Sequence, residues 1–497
     1  MSIGNQLKNN GLRYALTAAK FASVALSLAF LLGFLAVAGG SITHPFALQW
    51  MEGQSIDMVA RVLQGQPLYP EPSIEYAAAP YPPLFYILSA FTVWFTGLDF
   101  LPARIVSLLA TLVSGLLLYG WVRHEKGSRS ASVIAAGLFF ASYIVTGRWF
   151  DLARVDSLFI ALTLAGFYVL AHKRGLASVI CSGALLTAAF FTKQTALLII
   201  IAGLLGMFAQ ERKYALLAAL FFTLFSVCLV GWNNAISKEW FNFYVFTLRS
   251  SADGIEFPKP SFQENPFFVQ MGIAGALAVL SLALRFRTHW KKACFLTCLF
   301  IGMALAGYSS HNLWQEYQNV FIPLCAGFAL LAGMLLATAE RFFRPVYTLC
   351  LYLAVLAQLV LLAYNPNHFI PTQSARDEGV EALTLFSQLR GPVLVPEMQF
   401  VQTRVEKTSY SAGVASYIVN KRDLGLKDSI RKTLSNEFQE AIARQRFAAI
   451  IPSRALVSPG LDQYYEARRV LWFPEEYTTG SSALAQLTVY APKRSKP

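Results

Sequence analysis

The residues with chemical reach in this chain gather in a few polar stretches that interrupt long apolar runs. In the first, residues 41–80, Glu52 and Asp57 open a segment in which Ile56, Val59, Ala60 and Leu63 share one helical face, closed by Gly65. The spacing predicts an amphipathic helix on a membrane surface with a carboxylate at its N-terminal edge. A carboxylate against an apolar surface has a raised pKa, which suits a general base. Glu52 is the first candidate and Asp57 the second, with dipole compensation at the helix start as the structural alternative for both.

The second stretch, GRWFDLARVDSLF at 147–159, crowds Arg148, Asp151, Arg154 and Asp156 between two apolar runs. Ionisable groups at a membrane boundary are costly unless paired or used. Arg–Asp pairing would account for them. The functional alternative puts Arg148 or Arg154 on a phosphate, because a guanidinium grips phosphate oxygens bidentately. Lys193, in FFTKQTAL, either reaches the same phosphate or snorkels to the surface. A further stretch, YSSHNLWQEYQNVFIP at 308–323, concentrates His311, Asn312, Gln315, Glu316 and Tyr317 where a run re-enters the bilayer. Polar groups are tolerated there when they line a cavity. Residues 233–265 add Lys238, Trp240, Tyr244, Arg249, Asp253, Glu256 and Lys259. Aromatics beside charges suit a sugar or a lipid head group, and equally an interfacial belt.

The elements that must position these residues are membrane helices. Of 497 residues, 55% are hydrophobic and only 14% charged, and the mean hydropathy is +0.47. So little charge cannot coat several soluble domains and argues against a disordered chain. Runs of the length a membrane helix needs fall near 21–40, 104–122, 131–147, 155–171, 177–192, 194–209, 214–232, 266–284, 293–308, 317–338 and 345–364. That is eleven expected spans. The Pro-initiated run 81–97 is a shorter twelfth. Basic clusters at Lys8/Arg13/Lys20, Arg123/Lys126/Arg129, Lys173/Arg174, Arg212/Lys213, Arg285/Arg287/Lys291/Lys292 and Arg341/Arg344 all fall on one side only if 81–97 does not cross. It is therefore expected to be interfacial or re-entrant, with the N-terminus cytoplasmic and the C-terminal region extracytoplasmic. The first run is long for the core of a cleaved signal and reads as a retained span. The net charge of +13 is then a topology signal and no argument for nucleic acid.

The six cysteines lie in or at the edges of the runs, so no disulfide framework is expected. Cys294 and Cys298 share a helix face and read as small packing residues. Residues 365–497 differ: about 30 of these 133 residues are charged, near the soluble norm. Helices are expected at about 375–389 and 427–445, and strands at 392–397, 447–452 and 486–491. The division is thus a membrane domain over 1–364, with its candidate catalytic loop at 41–80, and an extracytoplasmic soluble α/β domain over 365–497. No GxGxxG, Walker or HExxH motif occurs.

The order of motifs resembles the GT-C fold glycosyltransferases that use lipid-linked sugars, in particular the protein-O-mannosyltransferase and aminoarabinose-transferase superfamily. The motifs are an acidic loop helix, GQPLY, YPPLFYIL and LPARIVSLL. That family opens with an Asp-Glu pair about eight residues before an Ala. Here Glu52 lies eight before Ala60 and Gly53 takes the second acidic place, which leaves one carboxylate where the family has two. The family's Pro-Pro matches Pro82 and Pro83, next to Tyr81. Its second-loop pattern matches Arg154, Asp156 and Leu158, its Lys-Gln-Thr matches Lys193, Gln194 and Thr195, and its late Asn-to-Tyr spacing matches Asn312 to Tyr317. The resemblance covers about 1–340.

What it implies is a polyprenyl-phosphate-linked sugar as donor, with a glycan, glycolipid or protein hydroxyl as acceptor. The loop-1 carboxylate Glu52 deprotonates the acceptor, Asp156 orients a substrate, and basic residues stabilise the leaving phosphate in an inverting displacement. Tyr81, Arg148, Arg154, Lys193, Gln194, His311, Asn312 and Tyr317 are the substrate-binding candidates. No cofactor is called for, and a divalent metal is compatible with the loops without being required. A transporter or flippase of a lipid-linked saccharide is the alternative, opposed by charges that gather in outer loops and not mid-span. None of the 13 Asn residues begins an Asn-x-Ser/Thr sequon, which leans toward a bacterial inner membrane.

Overall fold

The computed structural model describes residues 3–49, 51–248, 265–313, 317–388, 390–395, 415, 418–419, 428–451, 460–472 and 486–493. Arg249, Asp253, Glu256, Lys259, Gln315 and Glu316 lie outside them, as do the side chains of His311 and Asn312.

Helices stand where the apolar runs predict them: α1 (Ile3–Ser41), α4 (Phe100–His124), α5 (Arg129–Ala141), α6 (Asp156–His172), α7 (Leu176–Phe190), α8 (Ala196–Gln210), α9 (Arg212–Ile236), α10 (Gly272–Thr288), α11 (Trp290–Leu313), α12 (Ile322–Phe342) and α13 (Pro345–Leu361). Between α1 and α4 lie α2 (Glu52–Leu63) and α3 (Leu84–Thr96). Five helices among the described residues are long and apolar enough to cross a membrane, or six if the bent pair Pro345–Leu361 and Pro366–Gln388 counts as one span. Five more are apolar but only 10–17 residues long.

Helix α3 is the element expected at 81–97. Its 13 residues rise about 20 Å, short of the roughly 30 Å hydrocarbon core. It leaves Phe91, Trp94 and Phe95 exposed, as a helix at an apolar interface would. Helix α12 is the opposite case, since its apolar window is wholly buried. Where α8 meets α11 the backbones come very close: a Cβ on Gly302 would lie 2.9 Å from that of Ala202, and one on Gly206 would lie 2.7 Å from that of Cys298. Small residues permit this approach. They also give Cys298 its packing role.

Among its described residues the C-terminal region contains helices at Gln373–Gln388 and Asp428–Ala443 and a sheet of four strands. In chain order the strands are β1 (Val393–Leu394), β2 (Ala449–Ile450), β3 (Tyr465–Trp472) and β4 (Gln486–Pro492), and their order in the sheet is β1-β2-β4-β3. β1 and β2 are parallel, with Val393 opposite Ala449, and β4 runs antiparallel to both its neighbours. β3 was not expected, because Glu466, Arg468 and Arg469 break its apolar pattern. This region touches loop 1 through Arg446, whose guanidinium lies 2.8 Å from Glu75.

Loop 1 itself is held by one buried ion pair. Arg104, in the first turns of α4, donates through Nε and Nη2 to Glu52 Oε1 and Oε2 at 3.0 and 2.8 Å. Its Nη1 also donates to the carbonyls of Ser41 and His44, and its Nη2 to that of Phe46. Glu52 completes its own valences by accepting from the backbone N–H of Leu48 at 2.6 Å and of Ala153 at 2.7 Å. Both side chains are fully buried. One pair therefore joins the end of α1, the loop beyond it, α2, α4 and the 147–155 segment.

The raised carboxyl expected for Glu52 is not what this environment gives. Burial pushes it up, but the Arg104 charge, the Arg104 hydrogen bonds and two backbone N–H donors hold it below the usual carboxylate range. A depressed folded-state value contributes stability that is present above the unfolded value, about 4.3, and lost as pH falls through the folded one. Protease sensitivity of residues 41–80 is thus expected to rise on acidification below that range in the wild type. Arg104→Met strands a buried carboxylate and is expected to cost about 3–5 kcal/mol, read as a lower unfolding midpoint in detergent. An unchanged midpoint would show that the pair carries no structural weight.

Candidate active site

A small cleft opens among loop 1, the 147–155 segment and the start of α12, lined by Met51, Tyr81, Trp149, Arg154, Lys193, Ser310, Tyr317, Asn319 and Val320. The 147–155 segment is shaped by backbone geometry and by hydroxyls. Gly147 and Arg148 are both left-handed, at φ 73° and 64°, a costly conformation for an arginine. Ser107 and Thr111 of α4 donate to the carbonyls of Arg154 and Phe150, and Ser157 to that of Phe150 as well. These bonds pin a turn that would otherwise be a mobile connection, and they aim Trp149 and Arg154 at the cleft.

Arg154 is 2% exposed. Its Nη2 donates to the Tyr81 hydroxyl at 3.1 Å, and its guanidinium sits 5.2 Å from the ring centres of both Tyr81 and Trp149. Its Nε has no hydrogen-bond partner, and no described carboxylate lies within ion-pairing distance of it. The nearest negative charge that acts on it is that of Asp156, which is already bonded to Lys193, and a buried cation that lacks an anion of its own is expensive.

The other charges beside the cleft are paired. Lys193 Nζ donates to Asp156 Oδ1 at 2.6 Å and lies over the Phe159 ring. Asp156 begins α6, where the helix dipole favours a carboxylate. Asn319 Nδ2 donates to the same Oδ1 at 2.9 Å. Asp156 Oδ2 is buried without a partner. Asp156 thus stands directly behind two lining residues with half of its carboxylate uncommitted. Trp149 and Tyr317 form an edge-on aromatic pair 5.6 Å apart at the wall.

Of the expected site residues, the fold brings Tyr81, Arg154, Lys193 and Tyr317 to the cleft and Asp156 against it. Four go elsewhere. Glu52 has all its lone pairs engaged beneath loop 1. Asp57 is buried on α2 and does not line the cleft. Arg148 turns away, toward the Phe369 ring at 5.4 Å, beside a buried Tyr143–Asp151 hydrogen bond of 2.7 Å. Burial pushes the Asp151 carboxyl up against the pull of Arg148. Gln194 clamps two segments, its Nε2 donating to the carbonyls of Pro80 and Val245, each at 2.9 Å. His311 and Asn312 fall in the last turn of α11, their side chains outside the described residues.

Sequence reasoning missed Arg104, Trp149, Ser310 and Asn319. For Asn319 a signal existed in QNVFIP, a polar pair immediately before an apolar run. Arg104 lay inside LPARIVSLL, where a charge at the mouth of a span asks for a partner.

The sequence profile of glycosyltransferase family 87 matches residues 80–338, more than half of the chain and every lining residue except Met51. A search of curated proteins finds no sequence match. In fold the chain is similar to ArnT from Cupriavidus metallidurans bound to undecaprenyl phosphate, with a TM-score of 0.59 and 11% identity over 93% of this chain and 97% of that one. The apo form of the same protein gives 0.57 over the same shares. The apo oligosaccharyltransferase of Archaeoglobus fulgidus gives 0.50 at 11% identity, over 97% of this chain and 74% of that one. The architecture is therefore the GT-C fold that the loop motifs resemble. By its profile and its fold, the chain belongs to glycosyltransferase family 87 and is an integral-membrane glycosyltransferase of the GT-C type.

Proposed function

We propose that the protein transfers a sugar from a polyprenyl-phosphate donor to an extracytoplasmic acceptor hydroxyl, on a glycan, glycolipid or protein, with inversion at the anomeric carbon. The observation that carries this reading is Arg154, a buried guanidinium in an aromatic-walled cleft that ion-pairs with no carboxylate among the described residues and shares the charge of Asp156 with Lys193. A phosphate supplies the missing charge and matches the bidentate reach of a guanidinium. The undecaprenyl phosphate bound to the similar ArnT supports the choice of a lipid phosphate.

In this reaction the acceptor hydroxyl gives its proton to Asp156 Oδ2. The freed oxygen attacks the anomeric carbon from the face opposite the phosphate. The carbon–oxygen bond to phosphate breaks, and its electron pair leaves with the phosphate, where Arg154 and Lys193 meet the developing charge. The base role expected of Glu52 passes to Asp156, because Glu52 already accepts four hydrogen bonds and Asp156 keeps one oxygen free. Glu52 positions loop 1 for the same chemistry. A divalent metal plays no part in the proposal. The domain division at 364/365, eleven spans with an interfacial α3, a cytoplasmic N-terminus and a bacterial inner membrane complete the reading. Glu75–Arg446 supports an outer position for the C-terminal region, since that contact places it beside loop 1.

The test is sugar transfer by purified full-length protein from polyprenyl-phosphate sugars, followed by mass spectrometry. Arg154→Ala is expected to lower turnover roughly 10²–10³-fold, and near-wild-type turnover would remove the phosphate role. Asp156→Asn should lose turnover by a factor on the order of 10²–10⁴ in the fraction that remains folded, and its midpoint should also fall, because Lys193 is left buried without its ion partner. Glu52→Gln should lose turnover together with a clear drop in midpoint. A stable but inactive Glu52→Gln beside an active Asp156→Asn would return the base role to Glu52.

A further inference from the structure

Asn319 sits in the short turn Gln318–Phe321 that leads into α12, and it is 5% exposed at the cleft wall. Chemistry fixes its amide orientation. Its neighbour on one side is Asp156 Oδ1, which as a carboxylate oxygen only accepts, so Nδ2 must face it. The amide oxygen is then turned away from Asp156, and it has no hydrogen-bond partner. A buried carbonyl oxygen left unsatisfied in a cleft asks for an O–H or N–H donor from a ligand. Beside it Arg154 asks for an anion, and Trp149, Tyr317 and Tyr81 offer flat apolar faces. A ligand that meets all three demands carries a phosphate, hydroxyls and a carbon ring face. A glycosyl phosphate does, and a bare lipid phosphate does not.

We propose that Asn319 reads the transferred sugar. Its Nδ2–H holds Asp156 against Lys193, and its Oδ1 accepts a hydrogen bond from a hydroxyl of the donor sugar. This rests on the lipid-phosphate donor reading given above. It adds that the discrimination between a loaded and an unloaded carrier lies in the turn before α12, while the affinity for both lies in Arg154.

The experiment measures binding of undecaprenyl phosphate and of a panel of its pentosyl and hexosyl esters to the full-length protein in nanodiscs. Wild type is expected to prefer at least one glycosylated lipid over the bare one. Asn319→Leu, nearly isosteric, should reduce that preference by roughly tenfold, the worth of one hydrogen bond, through a larger loss of affinity for the glycosylated lipid than for the bare one. Should the leucine variant lose bare-phosphate binding as well, Asn319→Ala gives the same comparison with less bulk. Asn319→Asp keeps the acceptor oxygen and should keep the preference. A leucine or alanine variant that retains the wild-type preference overturns the proposal. If wild type binds neither the bare nor the glycosylated lipid, the donor reading falls first and this inference with it.

Discussion

The geometry of the site depends on one buried ion pair beneath loop 1. Arg104 and Glu52 are both fully buried, and the cost of removing two charges from water is met only by near-complete hydrogen bonding. Arg104 spends its donors on Glu52 and on carbonyls of residues 41–46, and Glu52 accepts four bonds. One of those four comes from Ala153, immediately before Arg154. The same carboxylate that fixes the start of α2 therefore fixes the backbone next to the Arg154 guanidinium. If this pair were displaced, Met51 on one wall and Arg154 on the other would lose their common reference.

The described charges at the cleft do not balance. Among the described residues, Lys193 and Arg154 face the single carboxylate of Asp156, which leaves one positive charge in surplus. Aromatic faces and the Tyr81 hydroxyl soften its isolation but bring no negative charge. Proteins keep such groups where a substrate completes them. The donor and acceptor atoms left open around it are of both kinds: the Arg154 Nε donor, and the Asp156 Oδ2 and Asn319 Oδ1 acceptors.

The helical frame was legible because each helix is an apolar run with basic residues at its end, and these signals are local. The extent of the loop-1 helix was legible too, since α2 begins at Glu52, but its setting was not: residues 52–60 are buried on every face where a surface helix would bury one. The partners of the charges were not. Which carboxylate meets which cation depends on contacts between residues 52 and 104, 156 and 193, or 156 and 319, and no spacing rule reaches across such distances. This is why Glu52, the more conspicuous acid, turned out to be saturated, while Asp156 kept a free oxygen. Arg148 and Arg154 looked alike in sequence. The left-handed turn at Gly147–Arg148 sends one toward Phe369 and the other to the cleft.

Helix α12 follows directly from the turn that carries Asn319, and its apolar window is wholly buried within the protein. It packs chiefly against α4, α5, α10, α11 and α13. Four of these precede it in the chain, so during synthesis its eventual enclosure is largely made before it emerges. Only α13 remains to be added. The turn bearing Asn319 is thus mounted on the last helix but one to join the bundle, and the cleft takes its final wall late in the assembly of the membrane region.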